Sequence, residues 1–297
     1  MTKRLGIISP GVMGSAVGRV LVENGCHVVT CLAGRSEISR ERAEKAGMVG
    51  LADIDAVVAA SDMILAILPP ADAIPLARMA AAAMDLTHFS PVYVDCNAVS
   101  PATAREIARI MDGAKAPFID AGIIGGPPED GYAPTFYCSG QETGPLMALD
   151  GMGIKVRDAG PEIGAASGVK MCYAAITKGT MTLHTAALIA AERMGLRDVL
   201  WRELEVSQGK VAEKMTETVP FLPADSARWV GEMDEIAATF GDAGLPSGFH
   251  EAAGDVFRLL ARSHFAGETR ETMNQDRTLD EAVRAYAEVL DDADRGG

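Results

Sequence analysis

Arg4-Leu5-Gly6-Ile7-Ile8-Ser9-Pro10-Gly11-Val12-Met13-Gly14 is the stretch that decides the fold. Arg4 to Ser9 is an apolar run with strand composition. It leads through a turn carrying Gly11 and Gly14 into Ser15 to Asn24, a helical stretch closed by Gly25. Glycines at a strand-to-helix turn let the backbone approach a pyrophosphate, which the free N–H groups of the helix's first turn then bind. The spacing is that of GxGxxG with Ser9 at the first glycine position, and a mere tight turn is the competing reading. A position after a strand and before a helix favours the cofactor reading. Ser9, Pro10, Gly11, Val12, Met13 and Gly14 are therefore the candidate pyrophosphate contacts.

Working outward, short apolar runs alternate with helical stretches. His27 to Leu32 is a second strand, followed by a charged helix from Arg40 to Ala46; Met63 to Leu68, Val92 to Cys96 and Pro117 to Asp120 continue the series. Strands that alternate with helices imply βαβ units, and continuous apolar runs imply strands buried on both faces. Beyond about residue 160 the composition turns helical. Ala165 to Met194 is too long for an average globular helix, and Asp198 to Glu217, Asp225 to Thr239, Ser247 to Arg262 and Leu279 to Asp291 follow it. The expected architecture is α/β: a Rossmann-type, doubly wound, mainly parallel sheet over residues 1–160, then an all-α domain over 161–297. The boundary is set at the Gly160-Pro161 turn.

The bulk numbers exclude several function classes. The 297 residues carry a formal net charge of −14, which argues against a phosphate-backbone partner. The five cysteines, Cys26, Cys31, Cys96, Cys138 and Cys172, show no CxxC spacing, so reduced thiols in a cytoplasmic protein are expected, with no metal site. Gly6, Pro10, Gly11 and Gly14 break the N-terminal apolar run before a signal peptide forms. No stretch is long and apolar enough to span a membrane.

The remaining motifs carry chemistry. At the end of the second strand, where an NAD enzyme usually has an acid for the ribose hydroxyls, the chain has Gly34-Arg35-Ser36. A cation and a hydroxyl suit a 2′-phosphate, so NADP(H) is expected in preference to NAD(H); a solvated surface arginine is the bland alternative. Leu68-Pro69-Pro70 and Asp95-Cys96-Asn97 end two further strands, where open α/β sheets bind ligands. Asn97 offers a donor and an acceptor to a carboxamide or a substrate hydroxyl, and Ser100-Pro101 can start the next helix. Gly125-Gly126-Pro127-Pro128 reads as a rigid loop whose free N–H groups could hold a carboxylate. Lys170 lies among Val169, Met171 and alanines near the start of the long helix. In so apolar a setting an ammonium needs a partner or loses its proton, which suits acid–base catalysis; a lysine reaching to solvent is the alternative. Tyr173 and Thr177 are one and two turns on, and Lys178 is either an anion contact or a surface lysine. Cys172 is read as an ordinary packed thiol.

Together these motifs resemble the β-hydroxyacid dehydrogenase superfamily, which includes 6-phosphogluconate dehydrogenase. The segments ASGVKMCYAAITKG, DCNAVSP, IIGGPP and RWVGEMDEIA are similar to a shorter, phosphogluconate-dehydrogenase-like branch. The resemblance implies oxidoreduction between NADP(H) and a small, anionic hydroxyacid or its oxo form. It implies Lys170 as the catalytic lysine, Asn97 in the nicotinamide and substrate loop, and Gly125 and Gly126 at the substrate carboxylate. It also implies a homodimer built through the helical domains. The chain departs from the phosphogluconate enzyme at Tyr173 and Thr177, where that enzyme has histidine and glutamate, so no decarboxylation is expected. An imine reductase on the same scaffold and a non-catalytic nucleotide-binding sensor are the rival readings.

Overall fold

A computed structural model describes residues 2–295. The chain divides into two compact units, residues 1–173 and 174–297. In the first unit eight strands form one sheet: β1 (Arg4–Ile8), β2 (His27–Cys31), β3 (Val49–Leu51), β4 (Met63–Ala66), β5 (Val92–Asp95), β6 (Phe118–Ile124), β7 (Thr135–Ser139) and β8 (Lys155–Asp158). Their order is β3-β2-β1-β4-β5-β6-β7-β8. The first six strands pair in parallel, β6 pairs antiparallel with β7, and β7 pairs in parallel with β8. The order reverses between β1 and β4, the kind of switch point at which open α/β sheets bind ligands beyond the carboxyl ends of their strands.

One face of the sheet packs under α1 (Val12–Glu23) and the Leu146–Val156 region, through Leu5, Ile7, Val17, Leu21, Phe136 and Val156. The other packs under α3 (Ile54–Ala60), α4 (Ala73–Thr87) and α5 (Pro101–Gly113), through Val57, Ile64, Ala77, Met84, Tyr93 and Ile107. Helix α2 (Glu37–Lys45) follows β2, and a short α6 (Gly144–Met147) follows β7. This is the expected doubly wound sheet, with strands buried on both faces.

Helix α7 (Ala165–Arg193) begins in the first unit and ends in the second. The second unit is helical: α8 (Arg197–Ser207), α9 (Gly209–Thr218), α10 (Pro223–Asp242), α11 (Gly248–Leu260) and α12 (Leu279–Arg295).

Three expectations need correction. The strand expected over Pro117 to Asp120 runs on to Ile124, because the apolar Ala121–Ile124 continues as a hairpin partner of β7. The single helix expected from Asp198 to Glu217 is two, broken at Gln208, whose backbone (φ −142, ψ 46) leaves the helical region ahead of Gly209. The division at Tyr173/Ala174 lies beyond the Gly160-Pro161 turn, because the first turns of α7 pack on β6 of the sheet.

Candidate active site

The glycine turn has the geometry of an anion cradle. Ser9 follows β1 with φ +77, so a serine takes the left-handed conformation for which the glycine it replaces is usually chosen. Gly14 lies so close that a Cβ there would stand 2.4 Å from the Ser9 carbonyl oxygen. A side chain at 14 would push the helix off the turn. Gly11 caps α1 with no side-chain hydrogen bond, and the first helical bond is Ser15 N–H to the Gly11 carbonyl, 2.9 Å. The N–H groups of Val12, Met13 and Gly14 therefore have no helical acceptor. A Cβ on Gly11 would meet no protein atom within 4 Å. A pyrophosphate fits this place: bare donors, the positive end of a helix dipole, and open space above the glycine.

At the end of β2, Gly34 turns the chain with φ +68 and Arg35 and Ser36 are exposed. Ser36 caps α2, accepting from Ser39 N–H at 3.3 Å. Arg40 Nε donates to the Arg35 carbonyl at 3.2 Å. No carboxylate stands between Leu32 and Ser36.

Asn97 is buried, and both ends of its carboxamide are engaged. Oδ1 accepts from Leu68 N–H at 2.7 Å, and Nδ2 donates to Asp95 Oδ1. The residue thus ties the loop after β4, where Pro69 follows Leu68, to the end of β5. Ser100 caps α5, accepting from Thr103 N–H at 3.2 Å, with Pro101 as the first helical residue. Gly125 takes φ +118, and Gly126 N–H donates to the Tyr132 hydroxyl at 3.1 Å. The Gly126 donor, expected to be free for a carboxylate, thus already has an acceptor within the chain. Tyr132 was not singled out from the sequence, because an exposed tyrosine in a loop carries no pattern.

Lys170 is half-buried and lies against β6. A Cβ on Gly122 would stand 2.7 Å from Lys170 Cβ and 3.0 Å from the Ala166 carbonyl, so the absence of a side chain at 122 lets α7 sit directly on the strand. Asp120, two residues earlier and fully buried, accepts from Ser139 Oγ, from the N–H groups of Gly164 and Ser167, and from Ser167 Oγ. In the sequence Asp120 only ends an apolar run, and nothing there marks Gly122.

Further along α7, Tyr173 is exposed and the Thr177 hydroxyl donates to the Ala174 carbonyl at 3.3 Å. Lys178 is neither a surface lysine nor a cation left open for an anion. It is buried in the second unit, with Nζ 2.8 Å from Glu232 and 5.0 Å from the Trp229 ring centroid. Glu232 offsets its charge, so the anion-contact role expected of Lys178 loses its electrostatic basis. Glu232 also pairs with Arg228, which pairs with Asp225, and Asp225 in turn pairs with Arg270.

Cysteine chemistry is disfavoured where the thiols are buried. Burial holds the Cys96 thiol well above its usual range and pushes Cys138 up to about 11, so neither supplies a thiolate near neutral pH. Cys172, expected to be packed, is exposed. Among the described residues no group of His, Cys, Asp and Glu is placed to hold a metal, and no helix is long and apolar enough to cross a membrane.

Residues 4–145 match the model of the NAD binding domain of 6-phosphogluconate dehydrogenase, and residues 191–260 match a domain of unknown function. An uncharacterized 28.5 kDa protein in the 7S RNA 5′ region of Methanothermus fervidus is 30% identical over 207 residues, 70% of this chain and 78% of the relative. The chain belongs to the 6-phosphogluconate dehydrogenase superfamily. A solved structure, that of the conserved protein MTH1747 of unknown function, described as structurally similar to 3-hydroxyacid dehydrogenases, is 28% identical. It covers 87% of this chain and 96% of its own, with a TM-score of 0.66. The 3-hydroxyisobutyrate dehydrogenase of Mycobacterium tuberculosis, solved with L-serine, shares the fold at 16% identity over 96% of this chain and 99% of its own, with a TM-score of 0.68. The N-terminal unit of this superfamily member is thus a pyridine-nucleotide-binding domain, and the chain shares its fold with a 3-hydroxyacid dehydrogenase.

Proposed function

We propose that this superfamily member is an NADP(H)-dependent dehydrogenase or reductase of a small, anionic hydroxyacid or its oxo counterpart. Lys170 is its acid–base residue. The observation that carries this reading is the seating of the Lys170 Cβ and Cγ on Gly122 of β6, which roots the lysine side chain on the sheet that also presents the glycine turn. Bound at that turn, a nicotinamide dinucleotide supplies the two-electron acceptor or donor. Lys170 Nζ takes the proton of the carbinol oxygen in oxidation and returns it in reduction. Asn97 fixes the ends of β4 and β5 beneath the ligand, and Gly125 and Tyr173 are the substrate-side residues. Thr177 cannot act as a carboxylic acid toward an enol, so the reaction proceeds without decarboxylation.

The preference for NADP(H) rests on the exposed Arg35 and the missing acid beside it. A homodimer is favoured by α7, along which one line of exposed positions runs through 169, 173, 176, 180, 183, 187 and 190 and on to Met194 just past its end. They include Val169, Tyr173, Ile176, Leu183 and Met194. Steps of three and four alternate along this face, the 3.5-residue period of a helix seam that a second copy of the same helix can match. Five free thiols agree with a cytoplasmic setting.

The test is a panel of hydroxyacids with NADP+ and oxoacids with NADPH. Turnover of a hydroxyacid–oxoacid pair is expected. Turnover of cyclic imines alone would transfer the protein to the imine reductases, and tight cofactor binding without turnover would make it a nucleotide-binding sensor.

A further inference from the structure

Asp120 is a carboxylate with no exposed surface in the middle of an apolar strand. Such a group is tolerated only when its oxygens are filled. Oδ2 accepts from Ser139 Oγ at 2.9 Å, Gly164 N–H at 3.0 Å and Ser167 N–H at 3.1 Å; Oδ1 accepts from Ser167 Oγ at 2.6 Å. Ser139 Oγ itself accepts from Ala166 N–H at 3.1 Å. Gly164, Ala166 and Ser167 are the entry and first turn of α7, whose leading N–H groups have no helical acceptor. Two side chains, one from β6 and one from β7, thus cap the helix, and the carboxylate lies at the positive end of its dipole. These four donors are all neutral.

Lys170 follows Ser167 by three residues, one turn along the same face. Asp120 and Gly122 are likewise two apart in β6, on one face and about 7 Å from each other. The helix is therefore held to the strand at two successive points. Asp120 grips its first turn, and Gly122 receives the next turn at Lys170 Cβ. A serine or asparagine cap would satisfy an orphan N–H without burying a charge. A buried carboxylate that takes three donors from one helical turn also sets that turn's rotation and height on the strand.

We infer that Asp120 is the positioning residue for Lys170, setting through the Asp120–Ser139–Ser167 cluster where the lysine's amine stands. The inference rests on the proposed acid–base role of Lys170. Its test is a set of variants assayed on the best substrate of the panel, with kcat, KM, NADPH Kd and thermal midpoint measured for each. A small shift of a catalytic group costs on the order of a hundredfold in rate, so Asp120→Ala should lower kcat by about that factor while NADPH Kd stays put. Asp120→Asn can turn its carbonyl oxygen to the three Oδ2 donors and its NH2 to Ser167 Oγ. It keeps the attachment without the charge and should stay within about fivefold of the parent, the usual effect of one weakened hydrogen bond.

Ser167→Ala, which removes one donor, provides a milder variant should Asp120→Ala fail to fold; its kcat should fall with KM unchanged. Asp150→Asn is the control. That aspartate also ties the chain, accepting from Val156 N–H and Arg157, but away from α7. The idea is overturned if Ser167→Ala and Asp120→Ala lose no more kcat than a control of equal thermal midpoint, or if Asp120→Asn is as inactive as Asp120→Ala. Lys170→Ala run in parallel separates the two levels. If Lys170→Ala keeps its turnover, the acid–base reading itself fails; if Lys170→Ala is inactive and the Asp120 variants are not, only the positioning fails.

Discussion

The two units of this superfamily member treat buried polar groups in opposite ways. In residues 1–173 the buried charge of Asp120 meets neutral donors, and the functional edge is built from backbone N–H groups, glycines and one carboxamide. In residues 174–297 the buried charges Lys178 and Glu232 meet each other, and the chain continues through Arg228, Asp225 and Arg270. The first arrangement leaves donors open at the start of α1 and roots the Lys170 side chain on a strand. The second closes its charges on one another. A site that must receive an anion and move a proton needs the first kind; a helical packing unit can use the second.

The largest effect that would sharpen this contrast lies in the ion-pair unit. Glu232→Ala strands Lys178 without its carboxylate, and breaking a buried pair costs about 3–5 kcal/mol. Urea unfolding should register that loss, while NADPH Kd stays near the parental value. A double variant, Lys178→Met with Glu232→Leu, should recover most of the stability, since well-packed apolar residues often replace buried pairs without loss. If the double variant instead abolished substrate binding in a stable protein, the pair would belong to the site and the contrast would fail.

How much of this was readable in the sequence follows the same divide. The doubly wound order and the cradle were legible because their signals are local. Apolar runs mark β1, β2, β4 and β5, and Gly11 and Gly14 fall in register with a helix start even though Ser9 has lost the first glycine. β3, β7 and β8 are not marked in this way; Val49–Leu51 is only three residues long. Thr135–Ser139 begins and ends on hydroxyl residues, and Lys155–Asp158 is an edge strand with three exposed residues, so neither reads as a continuous apolar run. Asp120 shows no role in the sequence because its donors come from positions 139, 164 and 167. The partner of Lys178 lies on another helix, and the only hint was an acid on the buried side of the RWVGEMDEIA helix. Long-range pairing leaves no spacing to read.

On the cofactor side the contrast predicts an intermediate effect. Arg35 is the one side-chain charge at the end of β2 assigned to the nucleotide. A charge-assisted contact contributes about 1.5–3 kcal/mol, so Arg35→Ala should weaken NADPH roughly ten- to a hundredfold and leave NADH nearly unchanged. Equal affinity of the parent protein for both cofactors, measured by titration, would remove the 2′-phosphate reading.

The smallest effect concerns pH. Burial lowers the pKa values of His184 and His250, both in the helical unit, below the usual histidine value near 6.5. The unfolded chain therefore binds these protons more readily than the folded one. Stability should be fully present above about pH 6.5 and fall as the pH drops from there through the depressed folded values. His184→Gln should flatten part of that slope in denaturant melts taken between pH 7 and 5. A slope unchanged in both His184→Gln and His250→Gln would assign the acid sensitivity to other groups.

The central claim is that Lys170 moves the proton. It is tested most directly by kcat and NADPH Kd measured together for Lys170→Ala. Positioned acid–base catalysis contributes about a hundredfold or more, so kcat should fall by at least that factor while NADPH Kd is unchanged. Lys170→Arg should not restore it, because a guanidinium does not release its proton near neutral pH. Near-parental turnover in Lys170→Ala would contradict the account and leave a different proton donor, as in an imine-type reaction, to be found.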